Sequence, residues 1–457
     1  MRMSNDVVDL VVIGCGPAGM AAACEARSLG LSVTLLDEQA ALGGQIYRRI
    51  EDAPADIVNI LGKDYAAGQT LAAEFRHSGT HYVGSAVVWN VTPHGVVDYV
   101  SNGKAAEVAG KYVLLASGAM ERPFPIKGWT LPGVMGAGAG QIMLKGSGAL
   151  PSDPVVLAGC GPLLYLLAWQ YLRAGVKIEA LVDTTSRSAY ARAIPHLVGA
   201  LRGWRDLLKG IKLISAIRRR SVRVYSGAQN LEIIGATHAE GLQFQHAGQQ
   251  VRVPASLVLL HQGVVPNTQL TWSTGAEHRW DDHQLCWLPV TDGAGRLGET
   301  SIYVAGDSKG IVGANASAVQ GRLAALAIAA QLGFSRGAAE RVLALKNELA
   351  RFTHIRPFLD SLYRPRDENR IPPDEVLVCR CEEVSAGQIR GYVKLGCTGP
   401  NQTKAFGRCG MGPCQGRLCG LTVTEVIAEA RGVEPSQVGY YRIRPPIKPI
   451  LLGDFTG

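Results

Sequence analysis

No stretch of this chain approaches the ~18 consecutive apolar residues needed to cross a bilayer, and no cleavable apolar leader follows its first six residues. The expectation is a cytoplasmic protein, neither exported nor membrane-spanning. Charge is sparse at 18 %, and no low-complexity tract interrupts the 47 % apolar composition, which excludes a disordered chain. Basic residues exceed acidic ones by eight, but they are scattered. The densest run, Arg218-Arg-Arg-Ser-Val-Arg223, has no interleaved aromatics and no nucleic-acid motif beside it. It reads as a solvated face or a partner contact, so no nucleic-acid partner is expected.

What is abundant is glycine, 55 of 457 residues, well above the usual ~7 % and suited to tight turns and close backbone approaches. A chain of this length exceeds the roughly 250–300 residues at which one core stops growing. Two or three domains are therefore expected. Six of the ten cysteines fall between Cys379 and Cys419, and such clustering in a chain without a leader points to a metal or redox site before a disulfide scaffold.

Apolar runs and glycine turns divide the chain. A strand over 10–13, a turn Gly14-Cys-Gly-Pro-Ala-Gly19, a helix over 20–29 and a strand over 33–36 make a parallel βαβ unit. The same unit restarts with a strand at 154–158, Gly159-Cys-Gly161, a helix to about 174 and a strand over 178–182. A third strand over 301–305, followed by Gly306-Asp307 and a small-residue helix over 314–332, suggests a return to the first unit. The expected fold is α/β, with two Rossmann-like domains and a small C-terminal helical domain. Residues 1–150 and 271–345 would form the first domain and 151–270 the second. Residues 346–373 would be a proline-bounded linker, 374–435 the cysteine domain, and 436–457 an extended tail that lies on another surface.

The first glycine motif stands in full context. Gly14 permits the turn, Gly16 lets backbone reach a pyrophosphate, and Gly19 lets helix and strand pack, while Pro17 and Ala18 open the helix whose N–H groups face the anion. Asp37 or Glu38, at the end of the next strand, can accept from ribose hydroxyls. The chain also carries Leu42-Gly-Gly-Gln45, Leu115-Ala-Ser-Gly-Ala-Met-Glu-Arg-Pro123 and Val304-Ala-Gly-Asp307. Over about 345 residues it resembles the two-dinucleotide-binding-domain flavoproteins, which include thioredoxin and glutathione reductases. The resemblance implies bound FAD. It places Gly43, Gly44 and Gln45 toward the flavin, makes Ser117-Gly118 a chain crossover, and gives Gly306-Asp307 the ribityl chain. Those reductases need a dithiol against the flavin, yet no cysteine lies between Cys24 and Cys160. No dithiol relay of that type is expected.

Gly159, Gly161 and Asp183 repeat the motif without its third glycine. Asp183 could meet a ribose diol, which leaves NAD(H), another nucleotide or an empty site open. His261, on the strand leaving this domain, is left unassigned.

Cys379-Arg-Cys381 is followed after thirty-two residues by Cys414 and after four more by Cys419. Four thiolates are the usual [2Fe-2S] ligand set, and the spacing resembles the bacterioferritin-associated-ferredoxin-like domain. Zinc is the alternative for four sulfurs. Cys397 and Cys409 are spare, with Cys409 the rival ligand. Lys404, Arg408 and Arg417 could offset the charge of a cluster.

Four longer pieces extend the resemblance to nearly the whole chain: Gly43-Gly-Gln-Ile-Tyr-Arg48, Gly118-Ala-Met-Glu-Arg-Pro123, Gly128-Trp-Thr-Leu-Pro-Gly-Val134 and Arg408-Cys-Gly-Met-Gly-Pro-Cys-Gln-Gly-Arg417. They are similar to the large subunit of bacterial hetero-oligomeric amine dehydrogenases, namely opine (octopine or nopaline) oxidases, D-hydroxyproline dehydrogenase and the related hydrogen cyanide synthase subunit. The resemblance implies an electron-relaying FAD/[2Fe-2S] subunit, together with a D-amino-acid-oxidase-like beta subunit that oxidises the substrate. It leaves room for a small [2Fe-2S] gamma subunit, and for a further flavin at a subunit interface. A self-contained NADH-dependent reductase is the other reading. A non-catalytic iron–sulfur scaffold would have no use for complete FAD sequences.

Overall fold

The computed structural model describes residues 7–220, 222–334 and 338–455. Its first sheet has a parallel half in the order His81–Val83, Val33–Leu36, Val8–Ile13 and Lys104–Leu115, and Ile302–Val304 also pairs with the last of these. The strands at its centre are short aliphatic runs, because a parallel sheet is covered on both faces. Val33–Leu36 is buried at every position. The long strand Lys104–Leu115 changes partners along its length. Its second half pairs with Val8–Ile13, and its first half closes an antiparallel meander with Val96–Ser101 and Ala86–Val91.

Helix Pro17–Ser28 lies against Ala314–Gln331 at backbone contact distance. A Cβ on Gly321 would stand 2.0 Å from the Ala18 carbonyl oxygen, and one on Gly19 would stand 1.8 Å from that of Gly14. Glycine is what lets the turn, the helix and its neighbour nest. The contact is locked by Glu25, buried between Arg322 at 3.2 Å and Arg341 at 3.0 Å.

A second sheet is wholly parallel, in the order Arg223–Ser226, Ile178–Asp183, Val155–Cys160, Leu257–Gln262, Val134–Gly136. Its strand order reverses between Val155–Cys160 and Leu257–Gln262. Open α/β sheets form ligand crevices at the carboxyl end of such a reversal. The stretch from 334 to about 356, helical in its sequence pattern, forms helix Ala338–Thr353, and helix Arg356–Leu362 occupies part of the stretch 346–373 expected as a linker. The chain then packs inward, because Asn369 and Arg370 are buried and Arg370 pairs with buried Glu425.

The cysteine region is a short hairpin, Leu377–Cys379 with Val384–Ser385, backed by helices Ala386–Lys394, Pro400–Gly407 and Gly420–Arg431. Its core is continuous with the first sheet, Val423 and Val426 joining the cluster that holds Val11 and Val113. The tail lies on that same sheet: the Ile447 amide donates to the Trp89 carbonyl at 3.1 Å, and Lys448 pairs with Glu38. No helix among the described residues is long and apolar enough to cross a membrane.

Candidate functional site

The first glycine turn ends strand Val8–Ile13 and opens helix Pro17–Ser28, with Gly16 at the N-cap and Pro17 and Ala18 in the first turn. Gly14 and Gly16 are glycine for different reasons. A Cβ on Gly14 would strike the Ala116 carbonyl oxygen at 2.4 Å, whereas a Cβ on Gly16 meets nothing within 4 Å. Open space in front of a helix N-terminus is what a pyrophosphate requires. Gly44 closes the same wall, since a Cβ there would lie 2.9 Å from the Gly16 Cα, and Gly118 and Gly313 also face open space.

The acidic residues at this crevice are held by backbone amides. Asp37 accepts from the Cys15 and Gln39 amides, and burial pushes its carboxyl upward while those hydrogen bonds oppose the shift. Glu38 is turned to the tail, paired with Lys448. Asp307 uses one oxygen, Oδ1, to accept from the Val312 and Gly313 amides at 2.8 and 2.9 Å. The arrangement fixes the carboxylate and leaves Oδ2 for a hydroxyl. The Gly306 amide donates to Gln320 at 2.9 Å. Gln45 offers its side-chain oxygen to Arg48, and its carbonyl accepts from Lys145 Nζ at 3.1 Å. Lys145 is almost fully buried, and that burial, with Arg48 nearby, lowers its pKa to about 7. Sequence reading missed this lysine. Its only signal was a charge inside an otherwise apolar and glycine-rich helix. The glycines, the half-engaged Asp307 and the open wall together suit a flavin dinucleotide.

At the second sheet the picture differs. Gly159 and Gly161 stand at the strand reversal, but Asp183 is buried with both oxygens engaged, Oδ1 by the Thr185 amide at 2.8 Å and Oδ2 by the Tyr165 hydroxyl at 2.7 Å. Tyr363 comes down from the segment after Arg356–Leu362, its carbonyl 3.5 Å from the Cys160 sulfur, and burial beside Asp183, Tyr190 and Cys160 pushes its hydroxyl pKa well up. His261, left unassigned, is buried with Nδ1 2.6 Å from Glu121, whose carboxylate also accepts from the Gly138 amide.

Five cysteines converge at the third centre. The sulfurs of Cys379, Cys409 and Cys419 lie within 4.8 Å of one another and are buried. Thiol hydrogen bonds from Cys409 and Cys419 hold the Cys379 sulfur far below the usual thiol range. The more exposed Cys381 and Cys414 interact with each other. Gly412 makes that possible, since a Cβ there would overlap Cys381 Cβ at 2.2 Å. Cys409, set aside by spacing, thus stands inside the buried trio, and Tyr441 donates to its sulfur at 3.4 Å. Cys397 is not part of the group.

The two centres are joined through the chain crossover. The Gly118 carbonyl accepts from the Asn267 amide at 2.9 Å, and two residues on, Gln269 donates to the Gln415 carbonyl at 3.2 Å, directly after Cys414. On the other side, Trp129 Nε1 donates to the Leu377 carbonyl at 2.8 Å, with Arg380 over its ring. The cysteine hairpin is therefore tied by hydrogen bonds to the segments around Gly118 and Trp129.

Residues 8–331 match the family model of pyridine nucleotide-disulphide oxidoreductases, and residues 375–456 match that of the sarcosine oxidase A3 domain. The opine oxidase A-subunit of Rhizobium meliloti is 46 % identical over 463 residues, covering 99 % of this chain and 88 % of the relative. Its counterpart from Agrobacterium tumefaciens is also 46 % identical, with 99 % and 92 % covered. A hydrogen cyanide synthase subunit of Pseudomonas protegens is 29 % identical, with 97 % of each chain covered. Among solved structures, L-proline dehydrogenase from P. horikoshii shares the fold at a TM-score of 0.72 and 20 % identity, over 99 % of this chain and 80 % of that one.

Proposed function

Because the chain belongs to the opine oxidase A-subunit family and is part of a hetero-oligomeric flavoprotein oxidoreductase, we propose that it relays electrons between FAD in its first domain and a [2Fe-2S] cluster in its cysteine domain. The observation that carries this reading is the bridge Gly118, Asn267, Gln269, Gln415, which ties the flavin crossover to the residue beside Cys414. FAD can exchange one or two electrons and a [2Fe-2S] cluster one, so the pair supplies a two-to-one electron junction.

Gly14, Gly16, Gly19, Gly43 and Gly44 would shape the pocket for the dinucleotide, Asp37 would meet the ribose, and Asp307 would meet the ribityl chain. The proposed ligands are Cys379, Cys381, Cys414 and Cys419. Cys381 and Cys414 lie together on the outside, and Cys379 and Cys419 lie inside with Cys409. Two outer and two inner thiolates would supply the two sulfurs per iron that a [2Fe-2S] cluster takes. Cys409, hydrogen-bonded by Tyr441, would then border the cluster without ligating it.

Substrate oxidation is assigned to a separate D-amino-acid-oxidase-like flavin subunit that acts on an opine or an amino or imino acid. The test is co-expression. On its own the chain is expected to show no dye-linked dehydrogenase activity with opines, and the activity should arise on adding the flavin subunit. Rapid reduction of the lone chain by an opine would place the substrate site here instead.

A further inference from the structure

Residues 187–220 form the outermost helical layer of the second domain, and their composition is lopsided. They hold nine Lys or Arg and a single acid, Asp206. The helix Trp204–Arg219 buries Ile217 and rests on Pro162–Arg173 with that face. Its opposite face, continued back through Leu197–Arg202, carries Leu197, Leu201, Trp204, Leu208 and Ile211, spaced three or four residues apart. Every one of them is exposed, Trp204 by 53 % and Ile211 by 61 %. Ile194 and Val198 widen the strip at its start. Arg202, Arg205, Lys209 and Lys212 each follow a strip residue by one position, so they line one side of it, and they are exposed as well. Lys209 has an acidic partner in Asp64, across the domain boundary.

A strip of exposed leucine, isoleucine and tryptophan is costly in water, and single exposed apolar residues do not line up at helical spacing by chance. The flanking charge selects what covers it. A second copy docked by twofold symmetry would bring this basic rim against itself. An apolar helical face that carries tryptophan and is bordered by lysine and arginine is instead the pattern of a helix lying in a membrane interface. There the apolar side chains enter the acyl boundary and the cations meet anionic headgroups, while the long arginine and lysine stems snorkel outward.

We infer that this helical layer docks the protein on the surface of an anionic lipid bilayer. The binding is peripheral, through the side of helix Trp204–Arg219 opposite the one that rests on Pro162–Arg173. It is independent of the electron-relay reading, because it uses none of the residues placed at the flavin, nucleotide or cysteine centres.

The experiment is vesicle flotation of the purified, flavin-loaded chain, with vesicles of phosphatidylglycerol and phosphatidylcholine in equal parts against vesicles of phosphatidylcholine alone. The expected result is flotation with the anionic vesicles only. It should fall about tenfold or more in the triple variant Trp204→Ser, Leu208→Ser, Ile211→Ser, and also in Arg205→Glu, Lys212→Glu. Visible flavin absorbance of each variant reports that it is folded. Failure of the unaltered protein to float, or undiminished flotation of a folded triple variant, overturns the proposal. Light scattering that finds a dimer converted to monomer by the triple variant also overturns it, because the strip is then an interface between copies. Loss of co-purification with the co-expressed flavin subunit in that variant overturns it in the same way.

Discussion

Gly16 and Gly14 show how much of the site rests on single hydrogens. Adding a side chain at Gly14 would drive it into the Ala116 carbonyl, so a Gly14 variant tests folding as much as binding. Gly16 is the cleaner probe, because a Cβ there enters only the space in front of the helix. Gly16→Val is expected to fold with unchanged circular dichroism and to lose FAD retention by more than about tenfold, read by cofactor extraction after gel filtration. Stoichiometric FAD in the folded variant would remove the assignment of the first pocket. The cysteines offer a second residue-scale test. A Cys-to-Ser exchange at Cys379, Cys381, Cys414 or Cys419 replaces a soft ligand by a poor one and should abolish or alter the cluster, whereas Cys397→Ser and Cys409→Ser should keep it. Iron and acid-labile sulfide content with the paramagnetic resonance of the reduced protein decide. Loss in Cys409→Ser with retention in Cys414→Ser would shift the ligand set onto the buried trio, a geometry that suits a single metal ion such as zinc.

At the scale of elements, the flavin domain is closed by a segment almost three hundred residues downstream of its first helix. Ala314–Gln331 nests on Pro17–Ser28 through Gly321, and the carboxylate of Glu25 binds it there. Arg322 also reaches Glu74 at 2.8 Å, and Arg341 brings in the following helix, so one buried anion ties three helices. Breaking a buried pair leaves the remaining charges uncompensated, at a cost of about 3–5 kcal/mol. Arg322 keeps Glu74 as a partner and Arg341 is half exposed, so the low end is the upper limit here. Glu25→Ala is therefore expected to lose up to about 3 kcal/mol in urea unfolding, with FAD release moving to lower denaturant alongside it. A change below about 0.5 kcal/mol would mean the arginines find water as good a partner. The second domain uses its connecting segment differently. Tyr363 and the buried Arg370 hold residues 363–370 against the carboxyl edge of the sheet and the cysteine domain, so a stretch that composition marks as a spacer is a fixed brace.

For the molecule as a whole, the two nucleotide folds are not equivalent. The first keeps an open wall and an acceptor in reserve on Asp307. The second has Asp183 satisfied by Tyr165 and Thr185 and Tyr363 packed beside it. A ribose diol would have to share Asp183 with the Tyr165 hydroxyl and would meet Tyr363 beside it, whereas Asp37 is held only by backbone amides. The flavin-loaded chain is accordingly expected to be reduced by NADH only slowly, on a scale of minutes or longer in anaerobic stopped-flow. Bleaching of the flavin within the mixing time would instead favour the self-contained reductase, with Gly159, Gly161 and Asp183 as a working nicotinamide site.

The sequence by itself determined what depends on short-range pattern. Glycine spacing, strand-turn-helix order and four-cysteine spacing are local, and Pro17–Ser28, Ile178–Asp183 and Gly420–Arg431 form close to where periodicity puts them. The return of Ile302–Val304 to the first sheet is legible from the strand and the Gly306-Asp307 turn after it, but its partner there, Lys104–Leu115, and the nesting at Gly321 depend on how distant segments meet, which no local pattern states. The same holds for chemistry. Asp37, Asp183 and Asp307 are equivalent as letters after a strand. Only tertiary structure decides that Asp37 and Asp183 use both oxygens within the fold, the second on a tyrosine hydroxyl, while Asp307 keeps one, and that Cys409 joins Cys379 while Cys397 does not. Hydrogen-bond supply and sulfur separations are set by which segments meet in space, and the contact of Gln269 with the Gln415 carbonyl is of that kind.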